Sequence, residues 1–190
     1  MRKEPFFKDD FVHVFNRGNR KQEIVRDNLD RQHFLSAIYY LNSEKTPEYP
    51  FQDLQRTGCL KPPILSFPIS GHHRAKSGGT EKIKDFWPPH WEPRKPLVSI
   101  LAFILMDNHF HLLLQEIRDG GITSFMQKFG VSITNRFNTR YKETGKLFQG
   151  SYKAKRIDSD NYLRYVRIYI QVKNALARYK GGLEQAFKDF

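Results

Sequence analysis

Runs of apolar residues interrupted by polar turns set out most of the chain. Phe11-Val12-His13-Val14-Phe15-Asn16 predicts a strand, closed by the basic turn Arg17-Gly18-Asn19-Arg20-Lys21. Residues 22–26 predict a short second strand. Leu29, Phe34, Leu35, Ile38, Tyr39 and Leu41 then recur at helical spacing, with Asp27 or Asn28 as the cap. Residues 97–106 and 109–115 predict an antiparallel pair of strands around the turn Asp107-Asn108. Ile122, Phe125, Met126, Phe129, Ile133 and Phe137 predict a helix over 120–141, with Gly130 as its weak point. A basic extended segment follows over 147–157. Asp158-Ser159-Asp160 then starts a last helix over 161–179, which ends near Gly181-Gly182. Strand, strand, helix, then strand, strand, helix, then a further strand and helix predict an α+β antiparallel sheet with helices packed on it.

Between the first helix and the strand pair the character changes. All of the ten prolines except Pro5 lie in residues 43–96, among clusters such as Ser70-Gly71-His72-His73-Arg74 and Trp87-Pro88-Pro89. A long Pro-rich insertion or loop is expected there, with Trp87 and Trp91 placed to pin one end to the core. The expected organisation is one domain over residues 1–190, its core in 11–42 and 97–182 and its insertion in 43–96.

Charge narrows the choice of partner. The 190 residues carry 32 Lys+Arg against 20 Asp+Glu, a net charge of +12. Such a surface calls for a polyanion, most simply nucleic acid, with an anionic membrane as the competitor. No segment approaches the roughly 20 apolar residues of a membrane span, and no secretory signal is seen at the start. The single cysteine, Cys59, leaves no internal disulfide framework and fits a reducing cytoplasm. Basic residues mixed with 16 Phe and 9 Tyr suit single-stranded nucleic acid, whose bases stack on rings. Packing in the core accounts for most of those rings equally well.

His109-Phe110-His111 opens the second strand of the pair. Side chains alternate along a strand, so His109 and His111 share one face. Two imidazoles so placed either face water or share one divalent ion. A structural zinc site would need more ligands, usually cysteines. Two histidines with an oxygen ligand, open to substrate, suit Mg²⁺ or Mn²⁺ in a phosphate-handling enzyme. The last helix offers Tyr162, Tyr165 and Tyr169 among Arg164, Arg167, Lys173 and Arg178. Some of these rings are expected to cover the sheet. A tyrosine hydroxyl is also a nucleophile that can accept a phosphoryl group, so a tyrosine near a His pair in a basic protein suggests DNA strand transfer.

The His-Phe-His pair resembles the His-hydrophobe-His motif of the HUH single-tyrosine transposases, and within them the REP-associated tyrosine transposases. Asn16-Arg17-Gly18-Asn19, residues 106–114, Gly145-Lys146-Leu147-Phe148-Gln149-Gly150 and Tyr169-Ile170-Gln171-Val172-Lys173-Asn174 stand in the order of that family. The resemblance covers residues 11–42 and 97–182. It implies a ferredoxin-like, RRM-type sheet and Mg²⁺-dependent cleavage of single-stranded DNA near hairpins through a 5′-phosphotyrosine. His109 and His111 would be metal ligands and Tyr169 the nucleophile. The family carries an amide four residues after its tyrosine. Here that position is Lys173 and the amide, Asn174, stands one residue further. That spacing serves a regular helix poorly and a bulged one better. Asn174, Gln115 or a water would complete the metal site. Arg17, Arg20, Lys21, Lys153, Lys155 and Arg156 are expected to hold backbone phosphates.

Two other readings stand beside strand transfer: an RRM-like nucleic-acid binder without catalysis, and a metal-dependent nuclease without a covalent step. Single-stranded or hairpin DNA is the expected partner, no membrane is expected, and monomer and homodimer are both open.

Overall fold

A computed structural model describes residues 5–59 and 87–173 of the chain. Four strands form one sheet: β1 (Phe11–Arg17), β2 (Val98–Leu105), β3 (His109–Glu116) and β4 (Lys153–Ile157). Their spatial order is β2-β3-β1-β4, and every neighbouring pair is antiparallel. With α1 (Asn28–Tyr40) between β1 and β2 and α3 (Gly121–Tyr141) between β3 and β4, this is the ferredoxin-like arrangement expected from the sequence. A short α2 (Pro50–Arg56) lies in the 43–96 segment, and α4 (Asp160–Ile168) follows β4.

Alternation sorts the sheet residues into two layers. Val12 and Val14 of β1 and Phe110, Leu112 and Leu114 of β3 face α1 and α3. Phe34 of α1 and Phe125 and Phe129 of α3 close that core, which is fully buried. The opposite sheet face carries a smaller apolar group, Ala102, Leu113 and Ile157, beneath Val166 of α4 and the buried Ile170 beyond it. Helices thus lie on both sides, two on the main core and α4 across the second face. Leu101 is the extra residue of a bulge between Ile100 and Ala102, and it turns Ala102 toward the α4 side.

Helix ends follow their cap chemistry. Asp27 caps α1 by accepting from the backbone N–H groups of Leu29 and Asp30, and Ser159 caps α4 through the N–H of Tyr162. Gly130 leaves α3 unbroken. Residues 22–26 form no strand. Ile24 and Val25 both donate to the carbonyl of Asp107, at 2.7 and 3.1 Å, whereas in a strand ladder successive N–H groups point to opposite sides. Of the extended segment over 147–157, only Lys153–Ile157 is a strand. The last helix stays regular only to Ile168 and then widens into a π-helical turn over Tyr169–Lys173. The rest of that expected helix lies outside the described residues.

The two ends of the Pro-rich segment are tied together. Asn42 accepts from the backbone of Leu97 and Val98, both at 3.0 Å, and donates to the carbonyl of Val98 at 2.9 Å. Trp87 and Trp91 join Tyr40 and Leu54 in a satellite cluster, and the Trp91 indole donates to Asp53 at 2.7 Å. No described helix is long and apolar enough to cross a membrane.

Candidate nucleic-acid-processing site

The second face of the sheet divides along its length. At one end α4 covers apolar residues. At the other, the register sets Lys153, Phe15, His111 and Ile104 side by side across all four strands. One step toward the α4 end, Lys155, His13 and Leu113 stand in line, and one step the other way Arg17 faces His109. His109 and His111 therefore share a face as the alternation requires, with ring centroids 5.3 Å apart.

Each histidine has a partner at Nδ1. His109 Nδ1 lies 2.7 Å from Asn108 Oδ1, and Asn108 is held from its other end by a bond from Nδ2 to the carbonyl of Lys21. His111 Nδ1 lies 2.9 Å from Nε2 of His13, and the two rings stack at 5.1 Å. Burial lowers the pKa of His111 to about 4, with smaller contributions from the nearby His13 and His109. Burial also lowers that of His13, assisted by the charge of Lys155. His111 is thus neutral at physiological pH, the form that can donate a lone pair to a metal.

Tyr169 ends α4 and begins the π turn. Its ring meets His111 edge to face, with centroids 5.6 Å apart and planes at 82°. Tyr162 and Tyr165 continue the row along α4, with neighbouring rings 6.3 and 6.2 Å apart and nearly parallel. Lys155 sits 4.4 Å over the Tyr162 ring.

Three loops close the far end of the site. Gly18 donates to the carbonyl of Asn108 at 2.8 Å, Asn19 donates to that of Leu147 at 2.8 Å, and Gln149 donates to that of Arg17 at 3.0 Å. The Asn16 side chain donates to the carbonyl of Gly150 at 3.0 Å. Gly18 is required by space: a Cβ there would lie 2.1 Å from the carbonyl oxygen of Gln22. These bonds bring together the 16–19, 107–111 and 146–150 segments, which are remote in sequence. They surround a cleft of about 610 Å³ lined by Phe15, Arg17, His109, His111, Gln149 and Lys153. A larger cavity of about 990 Å³ lies elsewhere, among α1, α2 and α3, and contains none of these residues.

Of the residues singled out in the sequence, His109, His111, Tyr169, Arg17, Lys153 and Lys155 converge on this face. Arg20 and Lys21 are exposed on the adjoining turn, both with left-handed backbone. Arg156 alternates to the face of Val12 and pairs with Asp10 at 3.0 Å. Asn174 lies outside the described residues. Among those residues, no group of three or more His, Cys, Asp or Glu side chains is arranged to hold a metal. Sequence reasoning passed over His13 and Asn108. The signal for His13 was a histidine inside an apolar strand, and for Asn108 an amide directly before the His pair.

Residues 94–173 match the family model of the IS200-like transposases. The match covers 80 of the 190 residues. The matched segment holds β2, β3, α3, β4, α4, both histidines and Tyr169, while β1 adds His13 and Arg17 from outside it. The chain as a whole is also similar to solved structures. A REP-associated tyrosine transposase bound to a REP hairpin matches with a TM-score of 0.52 at 12% identity, over 95% of this chain and 75% of that one. At this identity the likeness establishes a shared fold. A candidate transposase from Deinococcus radiodurans aligns with a TM-score of 0.39 at 12% identity, over 89% of this chain and 95% of that one. No curated protein matches the sequence.

Proposed function

We propose that this protein is a transposase of the IS200-like kind that cleaves and rejoins single-stranded DNA beside hairpins, using Tyr169 as nucleophile and a Mg²⁺ or Mn²⁺ ion held by His109 and His111. The observation that carries the reading is the meeting of Tyr169 with His111 on a sheet face rimmed by Arg17, Lys153 and Lys155.

The donor set suits a hard divalent ion only if oxygen ligands join the two imidazoles. Phosphate oxygens and water would supply some of these, and Asn174 is proposed to supply another. The π turn at Tyr169–Lys173 supports that role, because the helix widens from the tyrosine onward as an amide five residues away would require. The divalent ion would polarise a nonbridging phosphate oxygen and stabilise the charge that builds up there.

Arg17, Lys153 and Lys155 neutralise the DNA backbone and draw a strand across the sheet, with Arg20 and Lys21 extending the basic surface outward. The Tyr169 oxygen attacks phosphorus in line. A phosphorus–oxygen bond forms to tyrosine as the bond to the 3′ oxygen breaks, and the strand leaves as a 3′-hydroxyl. Attack by a 3′-hydroxyl on the phosphotyrosine reverses these bond changes, so rejoining needs no nucleotide cofactor. A single-stranded segment is the preferred substrate because one phosphate must reach both Tyr169 and the His pair, which a stiff duplex resists. The core in 11–42 and 97–182 is proposed to carry this activity as one domain, with the 43–96 segment as an accessory.

Labelled hairpin DNA with a single-stranded tail, incubated with Mn²⁺, tests the proposal. A denaturation-resistant protein–DNA adduct that disappears in the His109→Ala/His111→Ala double variant is expected. Cleavage without an adduct would point to a hydrolytic nuclease, and binding without cleavage to a noncatalytic RRM-like protein.

A further inference from the structure

His13 is used by neither the cleavage chemistry nor the DNA grip described above. It stands on β1, two residues before Phe15, which pairs with His111. Its ring is stacked on His111 and sends Nε2 to within 2.9 Å of His111 Nδ1. Two neutral imidazoles in such contact have one arrangement of donor and acceptor or the other. If His13 donates, the remaining nitrogen of His111, Nε2, carries a hydrogen and cannot bind a cation. If His13 accepts, His111 Nδ1 carries the hydrogen and Nε2 holds the lone pair. His109 shows the second arrangement built with a different partner: Asn108 Oδ1 is an acceptor, so His109 Nδ1 must donate.

We propose that His13 is a positioning residue that accepts the Nδ1 hydrogen of His111, fixes its tautomer and ring direction, and so prepares Nε2 of His111 for a divalent cation. The inference rests on the reading of His109 and His111 as metal ligands. It adds that the third histidine of the cluster acts through His111 rather than on the metal. Stacking limits rotation of the His111 ring, and the hydrogen bond decides which nitrogen is presented. Partners of this kind commonly change metal affinity 10- to 100-fold when lost.

Mn²⁺ alone is the probe, with binding followed by the loss of free Mn²⁺ signal in electron paramagnetic resonance. The full chain is compared with His13→Phe, His13→Gln and His111→Ala. Phenylalanine keeps a ring against His111 but offers no acceptor, and glutamine offers a carbonyl oxygen. His13→Phe should bind Mn²⁺ 10- to 100-fold more weakly, and His13→Gln should recover most of the affinity. Long-range ¹⁵N–¹H spectra of the metal-free wild type should show His111 protonated at Nδ1. This measurement stands even if a variant fails to fold. Protonation at Nε2, or wild-type affinity in His13→Phe, would overturn the role of His13. If His111→Ala binds Mn²⁺ as wild type does, the metal-ligand reading itself fails, a result distinct from failure of His13 alone.

Discussion

The Tyr169 ring stands edge-on to the His111 ring, with centroids 5.6 Å apart and planes at 82°. One residue comes from the end of α4 and the other from the middle of the sheet, 58 positions earlier in the chain. Ile170, fully buried beside Tyr169, anchors this point of the helix to the sheet. Tyr165, by contrast, is 58% exposed and one turn further from the His pair.

Tyr169→Phe should therefore keep the fold and DNA affinity yet form no covalent adduct, because only a hydroxyl is lost. Tyr165→Phe and Tyr162→Phe should form adduct at near wild-type levels. Denaturing gels of labelled DNA read all three. Adduct persisting in Tyr169→Phe and lost in either other variant would move the nucleophile along the helix.

Arg17 and Lys153 line the cleft from two strands and are exposed. Replacing both with Ala should lower the slope of log affinity against log salt by about 1.4, at about 0.7 per phosphate contact on a single strand. The loss should be similar for different DNA sequences. An unchanged slope in fluorescence titrations across salt would show that neither side chain touches phosphate.

Gly18 has no room for a methyl group, since a Cβ would lie 2.1 Å from the carbonyl oxygen of Gln22. The obstacle is backbone, so the turn itself must move. Gly18→Ala should cost about 1–3 kcal/mol in a denaturant melt and weaken the contacts that join the 16–19 turn to Asn108. Gly130→Ala, at a helical position with open space, is the control and should be neutral or slightly stabilising.

Stability should fall as pH drops from about 6.5 to about 4. His33 lies against Phe51 and Ser132, and its pKa is lowered to about 4, chiefly by burial and then by the charge of Arg136. Between the two values the unfolded chain takes a proton that the folded one refuses, so acidification favours unfolding. His111 acts in the same window with the same sign. His33→Gln should remove on the order of 2 kcal/mol of the stability lost between pH 7 and pH 4.5. Equal losses in variant and wild type would show that His33 is not the group responsible.

Local sequence alone determined several features. Alternation on β3 sends His109 and His111 to one face whatever the strand packs against, because a strand repeats every two residues. The spacing of Phe125, Phe129, Ile133 and Phe137 defines the apolar stripe of α3, and Asp27 and Ser159 cap their helices through backbone groups two or three residues away. The tertiary structure decided what depends on register and on distant contacts. Nothing near His13 specifies that it will reach His111; the antiparallel pairing of β1 with β3, held by the buried Val12, Val14, Leu112 and Leu114, does so. Ile24 and Val25 are apolar enough for a strand, yet the Asp107 carbonyl takes both of their N–H groups. Arg156 reads as part of a basic run, but the pleat of β4 separates it from Lys153 and Lys155. Periodicity is a property of neighbours in the chain and survives without the rest of the fold. The site is an encounter between β1, β3, β4 and α4, and exists only once packing has fixed their register.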